Sequence, residues 1–337
     1  MARHDYWPRY GLENYTLLLP FEDSFDGVKS TGWMQQNWMH SLTASAAYLA
    51  VIYTGQKLME GRKPFALDTP LFLWNAALAI FSILGFLRMT PEWIWSWTGE
   101  NDLKYSICVA SFAQAVSGFW TEQFALSKAR EEEKLNESSP FISVTMRRDM
   151  GRELVRNGVA ELLDTVFIVA RKRPLLFLHW YHHISVLVYT WHAYKDHTAS
   201  GRWFIWMNYG VHAVMYSYYA IRSLKWRTPK WIAMFITVLQ ISQMVAGVTI
   251  GISVYRIKSS GGECQQTWEN LGLNLGMYFS YFLLFCNFFY HAYLKKAILE
   301  KKDSAPSNGA AVKEVKEEEK KEERNGVTTR RRAQRVD

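Results

Sequence analysis

His179, His182 and His183 are the residues of this 337-residue chain best suited to chemistry. They lie in an otherwise apolar segment, Leu175 to Tyr194, long enough to cross a bilayer. Ionisable groups at membrane depth are costly and by default mark a functional site. The i, i+3, i+4 spacing places all three on one helix face. His212 stands in the next apolar segment, with Asn208 one turn before it and Tyr216 and Tyr219 extending its face. With the first segment entering from the cytosolic side and the second running back toward it, His182 would lie on the order of 10 Å and His212 roughly 15 Å from that side. The two can then share one cavity opening to the cytosol.

Neutral imidazole is a competent acyl acceptor and base near neutral pH. Imidazoles at this spacing can also ligate zinc or iron. A membrane di-iron desaturase or hydroxylase needs several histidine clusters, whereas the nine histidines of this chain form one. That oxygenase is the alternative reading. A seven-span receptor or transporter would share the topology but has no need of such a set.

Other candidates surround the cluster. Glu161 and Asp164 are i, i+3 on an apolar stretch, where they either tighten helix packing or orient a histidine. Thr237, Gln240 and Gln243 place polar groups on one stripe of a spanning segment. Arg171 and Arg173 precede the histidine helix, where they either hold phosphates or report topology.

The elements that must position these residues are spans. Six are plain: Trp38–Tyr53, Leu71–Leu87, Leu175–Tyr194, Phe204–Leu224, Trp231–Tyr255 and Leu271–Leu294. A seventh must come from Ile107–Leu126 or Val159–Ala170, which flank a charged run beginning at Arg130. Mean hydropathy is only −0.15. The 15 Trp and 18 Tyr depress it while suiting membrane interfaces. The net charge of +8 comes from basic residues beside apolar segments, which points to topology and an anionic substrate rather than nucleic acid. Lys57, Arg62, Lys63, Arg171, Arg173, Arg222, Lys225 and Lys230 fall on one side, giving a lumenal N-terminus and a cytosolic C-terminus. With no leader evident in residues 1–33, the first span serves as its own insertion signal. Three cysteines, Cys108, Cys264 and Cys286, are too few for a disulfide framework or a zinc pattern. The expected organisation is a lumenal segment 1–33, a membrane domain 34–296 with an atypical insert at about 130–160, and a charged, disordered tail 297–337.

Four motifs carry a resemblance to a known family: Glu161-Leu-Leu-Asp164-Thr165, Leu178-His179-Trp-Tyr-His182-His183, Asn208-Tyr-Gly-Val-His212 through Tyr219, and Thr237-Val-Leu-Gln240-Ile-Ser-Gln243. In order and spacing they resemble the fatty-acid elongase (ELO) family of 3-oxoacyl-CoA synthases, from about Trp33 to Lys296. The resemblance implies an all-α endoplasmic reticulum enzyme with seven spans enclosing a substrate tunnel. It would join a saturated or monounsaturated long-chain acyl-CoA to malonyl-CoA, releasing CO2 and CoA, with no bound cofactor. Trp180-Tyr181 resembles the branch using such chains. By motif position His182 takes the acyl group and His212 assists the attack, with His179 and His183 beside them. Glu161, Asp164, Asn208, Tyr216 and Gln243 would support the site. Lys128, Arg171, Arg173, Thr237 and Gln240 would contact CoA or the thioester. Cys108 and Cys264 would pair on the lumenal side. Expected partners are membrane lipid and the ketoacyl-CoA reductase, dehydratase and enoyl reductase of the cycle, with a homodimer left open. One departure stands out: the family lysine three residues before the motif Glu is Gly158 here, and Lys128, before the insert, reads as its displaced equivalent.

Overall fold

The computed structural model describes residues 10–99, 101–111, 113–128 and 162–295. The described residues are helices and connecting turns, with no strand among them. In chain order the helices are α1 (Pro20–Asp23), α2 (Gly27–Asn37), α3 (His40–Met59), α4 (Asp68–Trp95), α5 (Leu103–Cys108), α6 (Val116–Ser127), α7 (Leu162–Ala170), α8 (Phe177–Lys195), α9 (Gly201–Ser223), α10 (Lys230–Ser259) and α11 (Trp268–Phe289). The chain divides into two compact units, Met1–Cys286 and Asn287–Asp337. Within the described part of the second, Tyr290–Leu294 continues as one π-helical turn.

Many large apolar side chains face outward while several polar ones are buried. Leu73, Ile80, Leu84 and Leu87 on α4, and Trp231, Phe235, Val238, Val245 and Ile252 on α10, are exposed. Their three-, four- and seven-residue spacings make outward apolar stripes that suit lipid and would be a liability in water. Asn75, Ser82 and Glu92 on α4 and Gln243 on α10 are buried. Residues 68–95, 230–259 and 268–294 form helices long and apolar enough to cross a membrane. α3, α8 and α9 lie over the other three expected spans, but aromatic, histidine and hydroxyl residues dilute them. The two stretches expected to supply a seventh span carry the shorter helices α6 and α7. Glu161 and Gly158 lie outside the described residues.

Close packing of α4 on α9 depends on two glycines. A β-carbon on Gly85 would collide with the Tyr209 ring, and one on Gly210 with the Phe86 ring. Tyr209 fills that contact and donates to the Trp120 carbonyl, 2.9 Å, so α6 joins the pair.

The loops gather into two ends. At one, Lys172 Nζ donates to the carbonyls of Glu60 and Arg62, 3.0 and 3.1 Å, while Arg171 and Lys225 both reach Asp68, 3.1 and 2.8 Å. At the other, Cys108 is disulfide-bonded to Cys264. The Gln265 N–H donates to the Cys108 carbonyl, 2.8 Å, and the Ala199 N–H to the Gln265 carbonyl, 2.9 Å. This second end also holds a buried ion pair. Arg202 Nε donates to both oxygens of Glu92, 2.8 and 3.0 Å, and its Nη1 donates to the carbonyls of Ser106 and Val109, 2.6 and 2.8 Å.

The N-terminal segment is fastened to the same end. Glu22 is fully buried and accepts from Arg88, from Trp120 Nε1 at 2.8 Å and from the Leu19 N–H at 3.0 Å. Burial alone would raise its pKa, but these hydrogen bonds and the Arg88 charge outweigh it and hold the carboxyl below its usual range. On α2, Ser30 Oγ bonds Glu122 at 2.6 Å and Tyr194 at 2.8 Å, and Thr31 Oγ1 bonds His197 Nε2 at 2.7 Å.

Candidate active site

α8 brings the histidine cluster into the core because its aromatic and aliphatic faces pack in two directions. Leu187, Trp191 and Tyr194 pack with Met34, Ala44 and Ala125, while Tyr189 packs with Phe204, Met244, Met277, Tyr278 and Tyr281. Between these groups lies a cavity that is partly open. α8 lines it with His182, Val186, Tyr189, Thr190, Ala193 and Tyr194, and the following turn adds His197. These positions make one helix face. Asn208, Gln243 and Tyr281 line it from α9, α10 and α11.

The three clustered histidines do not act as one face. His182 is the member that lines this cavity. Its ring lies 5.0 Å from that of Tyr281, whose hydroxyl meets Ser185 Oγ at 2.6 Å and donates to the His182 carbonyl, 3.3 Å. His179 and His183 stack edge to face, 4.4 Å between centroids. His179 Nε2 meets Thr165 Oγ1 at 2.9 Å, and Thr165 meets the Tyr48 hydroxyl at 2.6 Å. The physical reason is angular: i to i+3 and i to i+4 fall on opposite sides of a common line, and α3 and α7 occupy one of those sides.

Asp164 is a second hub. Trp74 Nε1 donates to Oδ1 at 2.7 Å and the Tyr216 hydroxyl donates to Oδ2 at 2.8 Å. His212, buried, packs 5.3 Å from the Tyr216 ring. His212 is not among the lining residues of the His182 cavity; Asn208, one turn earlier, takes that place. The lining includes the turn after α8, with Thr198 and Gly201. The buried Asn208 Oδ1 has no hydrogen-bond partner.

The remaining candidates divide by location. Gln243 is buried and lines the cavity. Thr237 is buried, its hydroxyl donating to the Ala233 carbonyl at 3.0 Å, and Gln240 Nε2 lies 3.4 Å from Met215 Sδ. Arg171 is tied to Asp68, while Arg173 is exposed at the same end. Lys128 is almost fully buried, with Nζ 4.7 Å over the Phe124 ring. Among the described residues no group of three or more His, Cys, Asp or Glu is placed to hold a metal ion. Sequence reasoning missed Tyr48, Trp74, Tyr281 and His197, which lie outside the motifs and reach the site only through helix packing.

A family model described as ELO, the GNS1/SUR4 family, matches residues 33–132 and 155–301. This chain belongs to the ELO family. The unmatched stretch between the two parts, 133–154, falls within the charged insert. "Putative fatty acid elongase 3" of Caenorhabditis elegans is 64% identical over 297 residues, covering 88% of this chain and 83% of the relative. "Very long chain fatty acid elongase 6" of Rattus norvegicus is 43% identical over 278 residues, covering 82% and 92%. The Drosophila melanogaster protein of that name is 41% identical over 285 residues, covering 83% and 80%. The chain is thus a membrane enzyme of fatty-acid elongation, and the cavity beside His182 is the natural place to look for its chemistry.

Proposed function

We propose that this elongase catalyses the condensing step, joining a saturated or monounsaturated long-chain acyl-CoA to malonyl-CoA. The observation supporting this reading most directly is that His182 lines the cavity, while the other two clustered histidines turn toward Thr165 and Tyr48. An imidazole nitrogen of His182 attacks the thioester carbonyl, the C–S bond breaks, and CoA leaves as the thiol with a proton. The acyl chain remains as an acyl-imidazole, its hydrocarbon in the cavity. Malonyl-CoA then loses CO2, and the resulting carbanion attacks the acyl carbon. The C–N bond breaks with its electron pair going to nitrogen, and the departing ring takes up one proton from solvent, giving 3-oxoacyl-CoA and free imidazole.

Asp164, held by Trp74 and Tyr216, fixes the α9 face from which His212 assists the second half-reaction. Glu161, Asn208 and Gln243 support the site, and Asn208 Oδ1 is an acceptor left for substrate. Arg171, Arg173, Lys128, Thr237 and Gln240 contact CoA or the thioester, with phosphates held at the basic end. No bound cofactor enters. In this reading the basic end is cytosolic, the disulfide-bonded end is lumenal, and the membrane is that of the endoplasmic reticulum. Seven spans enclose the tunnel in a membrane domain from 34 to 296, and the reductases and dehydratase of the cycle act on the product.

The test mixes microsomes carrying the full chain with palmitoyl-CoA and labelled malonyl-CoA, and compares His182→Ala. Label should enter 3-oxoacyl product only with the native chain. Equal incorporation by both would reject the assignment.

A further inference from the structure

The helix that carries His182 is gripped by α11 at the level of that residue. Ser185 Oγ donates to the Tyr181 carbonyl one turn back on α8. A hydroxyl has one proton, so in the 2.6 Å contact between Ser185 and Tyr281 the tyrosine hydroxyl is the donor. The His182 carbonyl, at 3.3 Å, is its second and longer acceptor. Ser280, the residue before, repeats the pattern. Its Oγ donates to the Met277 carbonyl at 2.8 Å, so the Tyr181 hydroxyl, 2.9 Å away, donates to it. Consecutive residues of α11 thus hold Tyr181 and Ser185, which bracket His182 on α8.

The Tyr281 ring completes the grip. Tyr281 is 2% exposed, so packing sets its place. One turn earlier on α11, the Tyr278 ring stands where a β-carbon on Gly247 would collide with it, which seats α11 closely on α10. From that seat the Tyr281 ring lies 5.0 Å from the His182 ring, inclined 39°, and 5.9 Å from the Tyr181 ring, inclined 88°. His182 and Tyr281 both line the cavity. The terminal torsion of a histidine is broad, so the backbone alone leaves the imidazole able to turn. A ring packed beside it removes that freedom. Misplacing a reacting group by about 1 Å can cost on the order of 100-fold in rate.

We propose that Tyr281 is the positioning residue of His182: its ring holds the imidazole toward the cavity, and its hydroxyl, through Ser185, holds the α8 backbone that carries it. This rests on the acyl reading of His182 given above. The single hydroxyl proton is committed to α8, so Tyr281 acts through His182 and not as an acid toward the substrate.

The full chain in detergent is given labelled palmitoyl-CoA without malonyl-CoA, and label released from the protein by hydroxylamine reports the acyl-imidazole. The maximal acylation rate and the half-saturating palmitoyl-CoA concentration are read across a pH series. Tyr281→Leu should slow acylation about 100-fold with the half-saturating concentration unchanged. Tyr281→Phe keeps the ring and should recover most of that rate, leaving a loss of about tenfold with the native pH profile. Ser185→Ala should match Tyr281→Phe, and the double variant should be no slower than either, because all three remove one contact. Native acylation in a folded Tyr281→Leu protein would overturn the proposal, as would a raised half-saturating concentration at an unchanged maximal rate. So would losses that multiply in the double variant. A Tyr281→Phe protein as slow as Tyr281→Leu, with the alkaline limb of the pH profile gone, would make Tyr281 a proton donor and overturn it too. If Tyr281→Leu fails to fold, the Tyr281→Phe and Ser185→Ala pair decides alone. A native chain that takes up no hydroxylamine-labile label, or label that persists in His182→Ala, would remove the underlying reading instead.

Discussion

Replacing Arg202 by methionine tests whether the end opposite the basic loops is held by one buried charge pair. Arg202 and Glu92 are 3% and 1% exposed. The guanidinium meets both carboxylate oxygens and two backbone carbonyls, so its removal leaves a buried carboxylate and two carbonyls without donors. Breaking one partner of such a pair costs about 3–5 kcal/mol, because the remaining charge stays desolvated. Glu92→Leu strands the guanidinium but leaves it two carbonyls, so its cost falls near the lower end of that range. The Glu92→Leu/Arg202→Met double variant removes both charges, and such replacements are often close to neutral. At about 2 °C per kcal/mol for a chain of this size, each single variant should unfold roughly 6–10 °C below the native protein. The double variant should lie above both. Thermal unfolding of the detergent-solubilised full chain, followed by tryptophan fluorescence, gives the ranking. A double variant less stable than either single one, or single variants within experimental scatter of the native midpoint, would refute this account of the pair.

Two further outcomes follow from the same geometry. Thr165→Val leaves both the Tyr48 hydroxyl and His179 Nε2 without their shared partner, so it should destabilise by about 1–3 kcal/mol. It should also slow elongation, with unfolding and label incorporation as the measurements, and Thr165→Ser should restore both. His197 is held below its usual pKa because burial disfavours its charged form more than Asp196 favours it. The unfolded chain therefore binds that proton more readily, and the His197 contribution to stability is complete above about pH 6.5 and falls as pH drops through that value. Unfolding midpoints from pH 8 to 5 should show this loss, reduced in His197→Gly; an equal loss in that variant would count against the assignment.

The histidine motif, the amide and carboxylate motifs and the apolar segments were legible in the chain because they are local, and three of the expected spans are helices long and apolar enough to cross a membrane. Each needs only residue type and helical spacing, and together they pointed to a helical membrane enzyme of fatty-acid elongation. The position of the basic end was equally legible, since Lys57, Arg171 and Lys225 alternate with the spans that carry them together. Which histidine faces the cavity was not, because three imidazoles at i, i+3 and i+4 cover more than one helix face, and only the packing of α3 and α7 on one side and α10 and α11 on the other separates them. Trp74 reaches Asp164 across 90 residues of sequence and Thr31 reaches His197 across 166. Such pairs carry no periodic signature. They exist because antiparallel helices bring distant turns to the same membrane depth, and tertiary packing alone decides which side chains then meet.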